Sequence, residues 1–149
     1  MRKTGWLILI VLLFGPACYA EDIYIAQTLR GGGTGSDCAN ARGVDWLNDG
    51  ANWGAGDAKI GAGDTVHLCG VISTALTVRG SGTAAQRITI LFEAGAKLSA
   101  PHWGSQTGAI NAADKHHLVV DGGTNGVIEC TANGTSRAHA YPSVGINLD

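Results

Sequence analysis

The chain has 149 residues, a formal net charge of −2 at pH 7, 23 glycines and four cysteines. This length is enough for one domain, and a chain without a basic balance does not have the charge of a nucleic-acid-binding protein. Aliphatic and β-branched residues come in short bursts between glycine-rich segments, which is typical of an all-β protein.

Residues 1–20 have the pattern of a secretory signal peptide. Arg2 and Lys3 precede an apolar stretch over residues 6–14, and the small residue Ala20 marks the expected cleavage point. Lipidation at Cys18 is the alternative. No second long apolar stretch follows, so we expect the mature chain to have no membrane span and to be secreted, periplasmic or attached to the cell surface.

Residues 21–63 are expected to form an N-terminal unit made of a strand, a glycine-rich loop and a short helix. The strand is predicted over residues 23–28 and the loop over residues 31–35. Apolar residues then recur at helical spacing behind Ser36 and Asp37, which are candidate N-cap residues, at Ala41, Val44, Leu47 and Ala51. We expect this helix to cap the open apolar end of the following repeat.

Residues 64–149 contain a repeat of short strands. Three similar apolar runs end at Cys69, Glu93 and Asp121, which are 24 and 28 residues apart. Each repeat holds three strands and no helix, which indicates a right-handed single-stranded parallel β-helix of about three coils. The predicted strands are residues 66–69, 90–93 and 118–121, then 71–72, 96–98 and 127–128, then 76–78, 109–112 and 144–148.

Alternation along these strands predicts which side chains point inward and which point outward. The inward set is Val66, Leu68, Ile90, Phe92, Leu118 and Val120. Cys69 is predicted on the outer surface of the first coil, where it can meet the loop that contains Cys38. We therefore predict a disulfide between Cys38 and Cys69 and leave the state of Cys130 open.

Three segments, residues 63–70, 88–99 and 117–128, resemble the N-terminal coils of pectate-lyase-like right-handed parallel β-helix proteins. That family includes polysaccharide lyases, polygalacturonase-like hydrolases, tailspike-type depolymerases and exported proteins of unknown activity. Its helices usually have seven or more coils, so the resemblance implies that residues 64–149 are the first coils of a longer, truncated helix. It also implies a polysaccharide as the partner.

Glu93 and Asp121 are the weak candidates for catalysis that the repeat brings together. If their strands stack with these residues aligned, the two carboxylates lie on adjacent coils about 4.8 Å apart. Such a pair could hold Ca²⁺ or share a proton. Alternatively, both residues simply end strands at solvated corners.

Lys115 and His117 are further weak candidates, as bases for a lyase reaction. Adjacent histidines on a strand point to opposite faces, so His116 and His117 do not make a metal site, and no metal site is identifiable from the sequence. A polar cluster at the entry to a turn is the other interpretation. His67, between apolar outward neighbours, is interpreted as a packed surface histidine.

Trp103 lies in a turn-rich loop, where an exposed indole could stack on a sugar ring. The alternative is that it packs over a corner of the coil. The leading hypothesis is an exported carbohydrate-active β-helix protein that binds or degrades an acidic or cell-wall polysaccharide, lyase-like if it is an enzyme. The competing hypothesis is a non-catalytic surface or adhesion scaffold.

Overall fold

The computed structural model describes residues 20–132 and 142–149. The regular secondary structure of these residues is mostly β-strand, with little helix, and every strand pairing is parallel. The proposed signal peptide, apart from Ala20, lies outside the described residues. The strands are β1 (Asp22–Ala26), β2 (Arg42–Gly43), β3 (Thr65–Leu68), β4 (Val71–Ile72), β5 (Leu76–Thr77), β6 (Ile88–Phe92), β7 (Lys97–Ala100), β8 (Ile110–Asn111), β9 (Leu118–Asp121), β10 (Val127–Cys130) and β11 (Ile146–Asn147).

These strands form three parallel sheets. From β3 onward, each strand pairs with the strand three places later in the chain. Sheet 1 has the order β2-β1-β3-β6-β9, sheet 2 the order β4-β7-β10, and sheet 3 the order β5-β8-β11. All nine strands predicted for the repeat are therefore present, within one or two residues of the expected ends.

The register of sheet 1 agrees with the prediction at one step and differs at the next. Thr65 pairs with Thr89, which gives the expected spacing of 24 residues. At the following step Ile90 pairs with Val120 and Leu91 with Asp121, so the spacing is 30 residues instead of 28. Because the error is an even number of residues, the inward and outward faces stay as predicted while the neighbours across the strands change.

The core lies between the three sheets. Its largest fully buried side chains come from all three sheets and from the N-terminal unit; they include Ile25, Leu47, Leu68, Ile72, Leu76, Ile90, Leu98 and Ile110. The inward residues of the last strand of sheet 1 are less covered, since Leu118 is half-buried and Val120 is 37% exposed.

The N-terminal unit contains a shorter helix than expected. Helix α1 spans Val44–Asn48, begins after Gly43 without a side-chain cap, and is followed by a single 3₁₀ turn at Gly50–Asn52. Ser36 and Asp37 are not its N-cap, which corrects the prediction. The carboxylate of Asp37 instead accepts hydrogen bonds from the backbone N–H groups of Ala39 and Asn40, a local turn that competes with helix formation.

Side chains from the N-terminal unit bind the backbone at the first edges of sheet 3 and at the turn before it. The amide of Asn48 donates to the carbonyl of Ala75 and accepts from the N–H of Thr77, as a neighbouring strand would. The amide oxygen of Gln27 accepts from the N–H groups of Ser73 and Thr74. At this end of the sheet stack, side-chain amides thus bond backbone groups that at an open strand edge would bond water.

Candidate functional site

His67 is the centre of a charged cluster on the outer face of sheet 1. Its Nδ1 atom lies 2.6 Å from Glu93 Oε1, and its Nε2 atom lies 3.1 Å from Asp22 Oδ1. Asp22 begins β1, His67 belongs to β3, and Glu93 directly follows β6. One imidazole ring therefore joins three neighbouring strands.

The parallel register of β1 and β3 explains how the cluster forms. Tyr24 pairs with His67 across these strands, so both side chains leave the sheet on the same face. Their rings stack with centroids 4.2 Å apart and an angle of 12° between the planes. Burial raises the pKa of Tyr24 above 10.0, with further contributions from the charges of Glu93, Asp22 and Asp37.

The exposure of the three charged groups decides what the cluster can bind. The His67 side chain is 11% exposed, whereas Glu93 is 35% and Asp22 is 69% exposed. Each imidazole nitrogen faces a carboxylate oxygen, so both hydrogen bonds form together when both nitrogens carry a proton. A ligand in solution consequently meets the oxygens of Glu93 and Asp22, while His67 orients them from below.

A disulfide lies beside this cluster and confirms the predicted pairing of Cys38 with Cys69. The two Cα atoms are 5.6 Å apart, and the bridge joins the loop before β2 to the residue that follows β3. Cys69 is buried together with Ala26 and Ala41, in a small apolar cluster separate from the main core. The loop thus covers the part of the outer face next to Tyr24 and His67.

Glu93 and Asp121 do not form the stacked pair predicted from the sequence. Asp121 pairs with Leu91, two residues before Glu93, and two residues along a strand are about 7 Å. The Asp121 carboxylate accepts a hydrogen bond from the N–H of Gly123 and so stabilises the following turn. The stacking that would let these two carboxylates hold Ca²⁺ or share a proton is therefore not present in this register.

Lys115 and His117 lie at the entry to β9. The backbone of His117 has a φ of 56°, and its carbonyl accepts a hydrogen bond from the N–H of Ile88. The His117 side chain is exposed and Lys115 is half-buried. Their positions match a polar turn entry, and neither residue has a described contact with the His67 cluster.

The side chain of Trp103 is enclosed by protein. The residue is 4% exposed, and its indole N–H donates to the carbonyl of Glu129 over 3.0 Å. Stacking on a sugar needs an exposed ring face, which this position does not offer. The indole instead packs in the main apolar core, so the structure agrees with the alternative interpretation of a packing role.

A second polar cluster lies on the outer face of sheet 2. Glu129 Oε1 accepts hydrogen bonds from Lys97 Nζ over 3.2 Å and from Ser99 Oγ over 2.7 Å. Lys97 and Ser99 belong to β7 and Glu129 to the adjacent strand β10. These contacts, first Ser99 and then Lys97, hold the pKa of Glu129 below its ordinary value of 4.5.

Sequence reasoning identified Glu93 but missed its partners. Asp22 and His67 are 45 residues apart, and only the pairing of β1 with β3 brings them together. A signal was present in the sequence, because Ile23 and Ile25 alternate in the same way as Val66 and Leu68. Aligning these two pairs places Tyr24 opposite His67. Asp22 lies two residues before Tyr24 on the same strand.

Two absences among residues 20–132 and 142–149 bear on function. No three His, Cys, Asp or Glu side chains there are arranged so that they could hold a metal ion. No helix within the same residues combines the length and the apolar character that crossing a membrane requires.

Comparison of the chain with protein-family models, with curated proteins and with solved structures gave no match.

Proposed function

We propose that this chain forms a right-handed parallel β-helix, is exported through the signal peptide at residues 1–20, and binds or degrades an acidic or cell-wall polysaccharide. The pairing of each strand from β3 to β8 with the third strand after it supports the helical path. Right-handedness follows from the strong preference of parallel crossovers for that hand. The Cys38–Cys69 disulfide supports an oxidising compartment.

One observation carries the proposed ligand class. The parallel register places outward side chains of successive strands in straight rows, such as Val71, Lys97 and Val127 on sheet 2. Neighbours in a row are about 4.8 Å apart. A surface that repeats at this interval offers successive similar contacts to an extended polymer, which is the physical match between a stacked-strand protein and a polysaccharide. The resemblance of residues 63–70, 88–99 and 117–128 to pectate-lyase-like proteins favours the same ligand class.

If the protein is an enzyme, Glu93 is the described residue best placed to move a proton. Its carboxylate is partly exposed and its Oε1 atom is held by His67 Nδ1, so His67 acts as a positioning residue. In a lyase reaction such a base removes the proton from the carbon next to the uronate carboxyl group, a C=C bond forms to the neighbouring carbon, and the glycosidic oxygen on that carbon leaves and takes up a proton from water. The unsaturated product of that reaction absorbs ultraviolet light.

The test is incubation of the full exported chain with polygalacturonate and with neutral glycans, followed by ultraviolet absorbance, reducing ends and retention on each glycan. Binding with or without cleavage supports the proposal. If cleavage occurs, Glu93→Gln should lower kcat at least about a hundredfold, while Asp121→Asn, whose side chain only stabilises a turn, should leave kcat unchanged. Neither binding nor cleavage across the panel would overturn the proposal.

A non-catalytic scaffold is the second candidate function, and the enclosed position of the His67 side chain favours it. Both nitrogens of a side chain that is 11% exposed are engaged by the protein's own carboxylates, which suits a clamp between strands. On this reading His67→Leu should lower the free energy of unfolding by about 1–2 kcal/mol, the cost of losing hydrogen bonds to partly exposed charges. His116→Leu, at an exposed position, is the matched control, and urea denaturation measures both.

A further inference from the structure

The outer face of sheet 2 is the most open of the three outer faces in the described residues. On sheet 1, the loop tethered by the disulfide covers Cys69, and His67 is closed by its carboxylates. On sheet 3, the outward amides are used internally: Asn111 accepts from Ala113, and Asn147 donates to Gln106. The outward valines of sheet 2 lack such cover, since Val71 is 50% and Val127 is 43% exposed.

An apolar strip runs across the strands of this face. Val71 of β4 pairs with Lys97 of β7, which in turn pairs with Val127 of β10. The aliphatic stem of Lys97 therefore lies between two exposed valines, and the strip extends over about 10 Å, two strand spacings. A flat strip of this kind can pack against the C–H face of a sugar ring.

Polar groups stand beside the strip with bonding capacity to spare. Lys97 and Ser99 both donate to Oε1 of Glu129, and no donor within the described residues reaches Oε2. An ammonium group has three N–H donors, of which Glu129 takes one. Within the described residues, an ionised acceptor and a donor with further N–H groups thus stand side by side, at the edge of the strip. Two neighbouring sugar hydroxyls, one donating and one accepting, satisfy such a pair.

The charge of this face discriminates between acidic and neutral polymers. The positive charge of Lys97 is balanced by Glu129 across a 3.2 Å ion pair. Oε2 of Glu129, which no donor among residues 20–132 and 142–149 reaches, would repel a uronate carboxylate. The chain as a whole carries a formal charge of −2. Both facts disfavour a polyanion and leave hydroxyl recognition in place.

We propose that the face formed by Val71, Lys97, Ser99, Val127 and Glu129 is a binding site for an uncharged polysaccharide with neighbouring free hydroxyl groups. This inference rests on the proposed function and narrows its ligand class. The sugar's C–H face packs on the valines and the stem of Lys97. Oε2 of Glu129 accepts from one hydroxyl while Lys97 Nζ donates to the next.

The experiment is affinity electrophoresis of the full chain in gels that contain hydroxyethyl cellulose or polygalacturonate. We expect retardation by hydroxyethyl cellulose. Glu129→Gln and Val71→Ser should each weaken that retardation about tenfold in Kd, the effect of losing one polar contact or a comparable apolar one. Thr77→Val, on the outer face of sheet 3, is the matched control and should bind as the parent does. Circular dichroism checks that each variant is folded.

The outcomes separate this inference from the function on which it rests. Equal retardation of the parent, Glu129→Gln and Val71→Ser by hydroxyethyl cellulose would overturn the site and leave polysaccharide binding intact. Retardation by polygalacturonate alone would overturn the choice of an uncharged polymer. No retardation by either polymer would overturn the inference together with polysaccharide binding to these two probes.

Discussion

The two ends of the sheet stack differ in how their strand edges and apolar side chains are covered. At the N-terminal end, β1, Asn48, Gln27 and the loop tethered at Cys38 all bind or cover the first strands. At the other end, β9, β10 and β11 have no further strand paired to their outer edges within the described residues. Of the six exposed large apolar residues among residues 20–132 and 142–149, four lie in or directly after these strands: Val120, Val127, Ile146 and Leu148.

This difference teaches that similar strands need different partners at different places in a stack. An inner strand such as β6 is hydrogen-bonded on both edges and buries its inward residues between neighbours. The first strands obtain the same cover from side-chain amides and a disulfide, which are irregular devices made by the N-terminal unit. We therefore expect contacts at the N-terminal end of the sheet stack to contribute more to the free energy of unfolding than contacts at the opposite end.

The largest effect should come from the Cys38–Cys69 bridge. The two residues are 31 apart in sequence, and removing a cross-link that closes a loop of this size costs about 3–4 kcal/mol in the chain-entropy description. The double variant Cys38→Ser with Cys69→Ser should lose that much free energy of unfolding in urea. Hydrogen exchange should also accelerate first in β1 and β2.

Cys130→Ser is the control for this prediction, because Cys130 is half-buried and forms no disulfide. Its effect should be below about 1 kcal/mol. A double variant as stable as the parent would show that the loop is held by its other contacts, and the closed end would then owe little to the bridge.

A smaller difference in the free energy of unfolding is expected between alanine variants of two valines that lie in the same inward row. Val66, Ile90 and Val120 are aligned across β3, β6 and β9, but Val66 is fully buried and Val120 is 37% exposed. Val66→Ala should lower the free energy of unfolding by about 2–3 kcal/mol, and Val120→Ala by less than about 1 kcal/mol. Urea denaturation of the two variants gives both values, and equal losses would mean that β9 is as well covered as β3.

The sequence was sufficient for much of this architecture because strand positions and faces depend on local alternation. The strands predicted over residues 66–69, 90–93 and 118–121 are present with ends shifted by at most two residues, and their inward and outward faces are as predicted. The register between β6 and β9 was wrong by two residues, since the intervening segment includes nine residues between β7 and β8 whose path no local pattern determines. An even error cannot be detected from the pattern of faces.

The candidate site was less predictable than the fold for a related reason. Glu93 was identifiable as a polar residue that ends a strand, and the correctly predicted register of β3 with β6 already brings His67 next to it. Asp22 joins them only through the pairing of β1 with β3, whose paired residues are 43 apart in sequence. The Lys97–Glu129 pair likewise needs the register of β7 with β10. Long-range pairing decides which charges meet, and one sequence alone contains little information about it.

The smallest predicted effect concerns the pKa values of two carboxylates, Asp37 in the N-terminal unit and Glu129 in the last strand of sheet 2. Hydrogen bonds from Asn40, then Ala39 and Ser36, lower the pKa of Asp37 below 3.8 within a single loop. The pKa of Glu129 is lowered by Ser99 and Lys97 on the neighbouring strand, so it depends on the pairing of β7 with β10. A lowered folded-state pKa stabilises the fold above the unfolded value, and this contribution is lost as the pH falls through the folded-state value. Both groups are exposed, so NMR titration of the carboxyl carbons is the suitable measurement.

Asn40→Ala should raise the pKa of Asp37 alone, and Ser99→Ala that of Glu129 alone. If β10 frays from β7 at the open end, Glu129 will titrate near 4.5 in the parent while Asp37 keeps its lowered pKa. Lowered pKa values at both positions would instead show that the last strand of sheet 2 stays paired. Covered and uncovered ends would then differ in apolar exposure but not in the order of their backbones.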